Sequence, residues 1–190
     1  MKLNIYIISH PLIKILTTGI ISYESNHSKI TSRYKNHQYL GILLIYEILR
    51  KWIKISNIYI KKLDYIHEIS IIDNDQKNYI ITNIIDNYHT ITEIEKLFPQ
   101  TELKHININN LQSWEKINIQ YINSKTNLII LENFLNNENI LNLIHYINTI
   151  HKINHSCIKI ACITCTNKIL EKISTRYTDL NIYTTKIIND

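Results

Sequence analysis

Two hydrophobic periods alternate along this chain, and that alternation limits its fold more than anything else in the sequence. From residue 79 onward come short apolar runs: YIITNII (79–85), LKHINI (103–108), NLIIL (127–131), CIKIACI (157–163) and LNIYTT (180–185). Runs of this length suit strands, while the segments between them repeat their apolar residues every three or four positions, as amphipathic helices do. Helices are expected over TITEIEKLF, stopped by Pro99, and over NKILEKISTRY. Another is expected from about Glu138 to His151, with Ile140, Leu143, Ile144, Ile147 and Ile150 on one stripe. The run INIQYI (117–122) is expected as a further strand. Strands alternating with helices predict an α/β fold, a central, mostly parallel sheet covered on both faces.

The N-terminal half adds to this frame. LNIYII (3–8) reads as a strand broken by His10-Pro11. A long helix is expected from about Lys29 to Trp52, with Leu40, Leu43, Leu44, Ile48 and Trp52 at helical spacing. NIYIKKL (57–63) and HEISII (67–72) predict a small hairpin, followed by the turn-forming DNDQKN. With neither repeat nor linker in view, residues 1–190 are expected to form one domain.

Composition matters here mainly for what it discounts. The chain has 45 Ile, 24 Asn, 18 Lys and 13 Tyr, against one Ala, two Gly, two Pro, three Arg and no Val. The favoured residues use A/T-rich codons, which points to an A+T-rich genome such as that of an organelle or a reduced bacterium. The formal net charge of +5 is carried by scattered Lys, so it reads as solvated surface and not as a nucleic-acid patch. No uninterrupted stretch approaches the ~20 apolar residues of a membrane span. The nearest, YLGILLIYEILRKWI, contains Glu47. His10, Pro11 and Lys14 interrupt the N-terminus, and no cleavage site follows them, so a protein made in the compartment where it works is expected.

Cys162 and Cys165 form a lone CxxC inside a strand-like run. Strand geometry is expected to send these two thiols to opposite faces. With no second pair, no zinc site is predicted; His151, His155 and Cys157 could in principle close one, but His155 and Cys157 are expected to straddle the start of the same strand.

In parallel sheets, ligands sit beyond the carboxyl ends of the strands. The turns there are expected after Ile85, Ile108, Leu131 and Ile163, and they read DNYHT, NNLQS, ENFLNNEN and TCTNK. A phosphate cradle needs inward main-chain N–H groups, and Gly supplies the required backbone most freely. Neither glycine, Gly19 or Gly41, lies in these turns. Asn136, Asn137 or Asn139 is expected to stand in through left-handed backbone. Glu138 in the same turn repels an anion, by about 4 kcal/mol for unit charges ~4 Å apart at an effective dielectric near 20. Only Lys168, after Ile163, offers a cation.

The segments HPLIK, YLGILLIYEILR and IKIACI…DLNIYTT, in register from about His10 to Thr185, resemble uracil phosphoribosyltransferase. His10-Pro11-Leu12, Tyr46, Glu47 and Arg50 match its motifs, while Leu97, Pro99 and His105 keep step. The resemblance implies a phosphoribosyltransferase-like fold and a homodimer. It also implies a reaction of uracil with phosphoribosyl pyrophosphate (PRPP) and Mg²⁺ to give UMP and pyrophosphate. Such homologues occur in plastid genomes of red algae, so a plastid location is expected.

At the family's active-site positions the chain departs from the pattern. An Arg-Ala-Gly turn for pyrophosphate is replaced by Asp86-Asn87-Tyr88, and a second Arg by Asn110. The PRPP loop Asp-Pro-Met-Leu-Ala-Thr-Gly-Gly-Ser aligns with Glu132 to Ile140, where only the acid (as Glu132) and Leu135 persist. The family's C-terminal uracil-binding segment has no counterpart before Asp190. Three readings follow. The first is a scaffold that has lost catalysis and so needs no cofactor. In the second, an active transferase, Glu132 holds the ribose hydroxyls while Asn136, Asn137 and Asn139 cup the 5′-phosphate. The third is a basic binding module for nucleic acid or a partner subunit.

Overall fold

The computed structural model describes residues 3–21, 30–72, 77–98, 101–115, 117–119 and 126–189. In chain order the strands are β1 (Asn4–Ile7), β2 (Ile55–Lys61), β3 (Ile66–Ile72), β4 (Lys77–Thr82), β5 (Thr101–His105), β6 (Thr126–Leu135), β7 (Ile158–Thr166) and β8 (Asn181–Ile188). The helices are α1 (Pro11–Ile21), α2 (Ile30–Leu49), α3 (Ile84–Ile91), α4 (Ile94–Leu97), α5 (Leu111–Trp114), α6 (Asn139–His151) and α7 (Asn167–Arg176). A 3-10 turn at His155–Cys157 leads into β7.

Six strands form one parallel sheet in the order β1-β8-β7-β6-β4-β5, and β2 and β3 form a separate antiparallel hairpin. The α/β expectation therefore holds. Ile130, Ile160 and Ile182 face one way, packing on Ile140, Leu143, Ile144 and Ile147 of α6 and on Ile169 and Ile173 of α7. Ile80, Ile129, Leu131 and Ala161 face the other way, against Ile45, Ile48 and Leu49 of α2 and Ile91 of α3. Burying each such Ile or Leu contributes about 1.5–3 kcal/mol, so the two-sided cover is the main source of stability. Among the described residues, no helix is long and apolar enough to cross a membrane.

Several boundaries differ from the sequence reading, each for a local reason. After His10, Pro11 opens α1 rather than merely breaking the chain, because proline suits the first helical turn, where its missing N–H costs nothing. β4 ends at Thr82, and α3 begins at Ile84 instead of near Thr90. The Asn83 side chain caps α3 by accepting from Ile85 N at 3.2 Å, and His105 Nδ1 accepts from Ile84 N at 3.1 Å. β6 continues four residues past Leu131, so Glu132–Leu135 belong to the strand and the turn proper is Asn136–Glu138. Ile117 and Ile119 are buried but lie in irregular chain, so no strand is described there, and residues 120–122 fall outside the described residues. Ile150 leaves the α6 stripe and is exposed. Pro99 lies outside the described residues.

The thiols also correct the sequence reading. β7 pairs with its neighbours up to Cys162, skips Ile163 and resumes at Thr164. That break shifts the alternation by one, and Cys162 and Cys165 enter the same core cluster. Cys162 Sγ donates to Tyr183 O at 3.7 Å, and Cys165 Sγ to Thr184 Oγ1 at 3.6 Å.

Candidate functional site

The carboxyl ends of β4, β5 and β6 open onto a cavity of about 230 Å³. Its wall carries two acids, Asp86 and Glu132, and five amides, Asn83, Asn107, Asn109, Asn136 and Asn137. Phe134, Leu135, Ile108 and Ile140 complete it. No Lys or Arg lines this cavity among the described residues.

Gly41 sets the position of the α3 wall. A Cβ at this residue would stand 1.9 Å from Thr90 O, so α2 can approach α3 only where a side chain is missing. From Thr90 the support runs inward: its hydroxyl donates to Asn133 Oδ1 at 2.9 Å, and Asn133 Nδ2 donates to Asp86 O at 3.3 Å. Behind the wall, Asn87 Nδ2 donates to Thr82 Oγ1 at 2.8 Å, and that hydroxyl donates to Leu131 O at 2.8 Å. Asn87 Oδ1 and Glu132 Oε1, buried atoms of two neighbouring side chains, have no hydrogen-bond partner among the described residues while Glu132 is ionised. Burial raises the Glu132 carboxyl to about 7, with the Asn87 amide opposing and the Asp86 charge reinforcing the rise.

The turn after β6 does not form a phosphate cradle. Among the described non-glycine residues, only Lys152 has a positive φ, so Asn136, Asn137 and Asn139 do not take up the left-handed backbone expected of them. The first N–H groups of α6 are used locally. Asn139 N donates to Asn137 Oδ1 at 2.9 Å, Ile140 N to Asn137 O at 3.3 Å and Leu141 N to Glu138 O at 2.9 Å. The amides of Asn137 and Asn139 both donate to Asn109 Oδ1, at 2.6 and 3.1 Å, tying the turn to the end of β5. Glu138 pairs with Lys172 of α7, which holds its carboxyl below the usual range, with Lys168 and Arg176 adding to the effect.

The residues singled out from sequence therefore divide. Asp86, Glu132, Asn136 and Asn137 meet in the cavity, and Asn139 braces it. Asn87 is buried behind the wall, in a helix rather than a turn. Tyr88 points outward, 55% exposed, and Asn110 is exposed beyond the rim, so neither reaches the site. Sequence reasoning missed Asn83 and Asn107 and included Asn109 only as the first residue of the turn after Ile108; their signal was position alone, since each follows a strand end. The motif residues His10, Pro11, Glu47 and Arg50 gather around a second cavity of about 420 Å³ beside Tyr6 and Tyr183.

Comparison with known proteins follows the same outline. No family model matches the chain. It is 31% identical over 188 residues to the "Uracil phosphoribosyltransferase homolog" of Porphyra purpurea, spanning 98% of this chain and 89% of that one. It is 30% identical over 189 residues to the protein of the same name from Pyropia yezoensis, with the same coverage. Among solved structures, the AQ2163 protein from Aquifex aeolicus superposes with a TM-score of 0.72 at 16% identity, covering 97% of this chain and 88% of that one, a likeness of fold alone. Near-complete alignment at this identity, on a parallel sheet with its cavity at the carboxyl edge, shows that the chain belongs to the family of uracil phosphoribosyltransferase homologues.

Proposed function

We propose that this protein is a uracil phosphoribosyltransferase-like scaffold that no longer joins uracil to PRPP. One observation carries the reading: among the described residues the cavity at the carboxyl edge is lined by two acids and by no Lys or Arg. A pyrophosphate brought near the Asp86 carboxylate meets repulsion of about 4 kcal/mol per pair of unit charges at ~4 Å and an effective dielectric near 20, and Glu132 adds to it as it ionises around about 7. That exceeds the ~1.5–3 kcal/mol of a charged hydrogen bond. The leading amides of α6 are already engaged, so they offer no compensation. Asp86 and Glu132 could hold Mg²⁺ through their carboxylates, but no Lys or Arg among the described residues stands by to meet the remaining pyrophosphate oxygens. The decisive assay supplies labelled uracil, PRPP and Mg²⁺: no UMP above background is expected, and UMP formed with saturation in PRPP overturns the reading. The rival, an active transferase with a divergent site, is favoured only by the cavity being open.

The hairpin supports the homodimer implied by the family. Two-stranded ribbons are marginal in water unless covered, yet β2 and β3 expose Ile55, Tyr59 and Ile66 by more than half. A second copy of the chain covers this ribbon in the proposed assembly. Sedimentation is expected to give a dimer that Ile66→Lys converts to monomer. A plastid location is part of the same proposal, supported by the red-algal relatives and the A/T-biased composition.

A further inference from the structure

Of the two edges of the six-stranded sheet, one is defended and the other is open. β5 carries Glu102 and Lys104, paired at 2.9 Å, and charges of that kind keep foreign strands off an edge. β1, Asn-Ile-Tyr-Ile, has no charged residue, and no strand lies beyond it among the described residues. Its ladder to β8 continues with Ile8 N donating to Thr184 O at 2.9 Å. By alternation, the main-chain N–H and C=O groups of Ile5 and Ile7 point to the free side. The side chains around them are apolar and accessible, Ile5 and Tyr6 at 38% and Ile7 at 53%. Such an edge is a template for one more strand.

The charge beside the edge selects that strand. The cavity of about 420 Å³ lies on the Tyr6 face of β1. Tyr6 stacks on Tyr183 with ring centres 4.7 Å apart, and Lys51 Nζ lies 4.6 Å from the Tyr6 ring centre. Glu47 is the only acid lining this cavity among the described residues, and Arg50 meets it at 3.1 Å, which leaves Lys51 in excess. Lys159 is buried nearby, its Nζ 5.4 Å from the Tyr183 ring centre and 3.7 Å from that of Trp52. Burial, with the Lys51 charge adding, pulls the Lys159 ammonium down to about 8. This corner of the sheet is short of negative charge.

We propose that the free edge of β1 takes an extended acidic segment of a partner protein as a further strand, bonded to the main chain of Ile5 and Ile7 and reaching Lys51 and Arg50 with a carboxylate. Side chains alternate between the faces of a strand, so every second residue of the segment falls on the Tyr6 face and the others cover Ile5 and Ile7. The preferred segment therefore alternates acid with apolar. Two other occupants fit less well. A second copy pairing antiparallel through a two-fold axis keeps the two Tyr6 faces together, which brings a second Lys51, on a chain of net charge +5, to the same face. A small free anion meets Lys51 but leaves the outward main chain and Ile5 and Ile7 uncovered.

Calorimetry with the capped peptide acetyl-Val-Glu-Val-Glu-Val-amide tests this, against the same peptide with Lys in place of Glu. The expected result is saturable binding of the Glu peptide, at least about tenfold tighter than the Lys peptide at low salt and weaker as salt rises. Ile7→Pro removes one outward N–H and leaves the bonds to β8, since proline is tolerated where an edge N–H faces solvent. The exposed Lys51→Gln removes the excess charge without touching the strand. Each variant should weaken the Glu peptide at least about fivefold. No binding of the Glu peptide, equal affinity for the Lys peptide, or an affinity that Lys51→Gln leaves unchanged overturns the proposal. If Ile7→Pro lowers the protein's own mass in sedimentation without peptide, the edge belongs to a second copy and the proposal falls.

Discussion

Replacing Glu132 by Gln should stabilise this protein, and should do so only above acid pH. In the folded chain the Glu132 carboxyl is raised from 4.5 to about 7, chiefly by burial. Between those values the folded state holds a proton that the unfolded chain has released. Its contribution to stability is therefore complete below about 4.5 and is lost as pH rises through about 7. At about 1.4 kcal/mol per pH unit, the interval corresponds to about 3 kcal/mol. Gln keeps the size and hydrogen-bonding capacity of the protonated acid and does not titrate. Wild type and Glu132→Gln should match near pH 4.5, and the variant should be more stable by about 3 kcal/mol at pH 8. In melting temperature this is roughly 6–12 °C for a chain of this size. Urea unfolding of both proteins across the range, read as their difference, cancels every other titrating group. A difference that stays flat with pH would refute the burial argument for Glu132.

The remaining expectations are simpler to check. Gly41→Ala should cost about 3 kcal/mol or more by urea unfolding, since the new methyl meets backbone at Thr90 O and backbone has little freedom to yield. Asn83→Ala removes the cap of α3 and should cost about 1 kcal/mol in the same measurement. Lys172→Ala releases Glu138 from an exposed pair, so the midpoint of urea unfolding should not shift measurably, and no PRPP binding should appear by calorimetry.

The sequence by itself determined the class of fold and its sidedness, because hydrophobic period is a local property. Isoleucine runs such as those around Ile130 and Ile160 can be buried on both faces only in a covered parallel sheet, and the α6 stripe of Ile140, Leu143, Ile144 and Ile147 needs a surface to pack on. The acid at position 86 and the absence of glycine from the turns beyond the strands were equally legible, since they depend on residue identity alone. Only the tertiary structure decided where β6 stops, and with it that Glu132 enters the cavity from a strand while Asn136 and Asn137 form the turn. That boundary depends on pairing with β7, a partner more than twenty residues away. The same holds for Asn87, whose amide lies buried behind the wall because α3 starts early, and for Gly41, whose role exists only where two helices meet. Cys162 and Cys165 share a side because one strand position goes unpaired, which no spacing rule along a single chain can express.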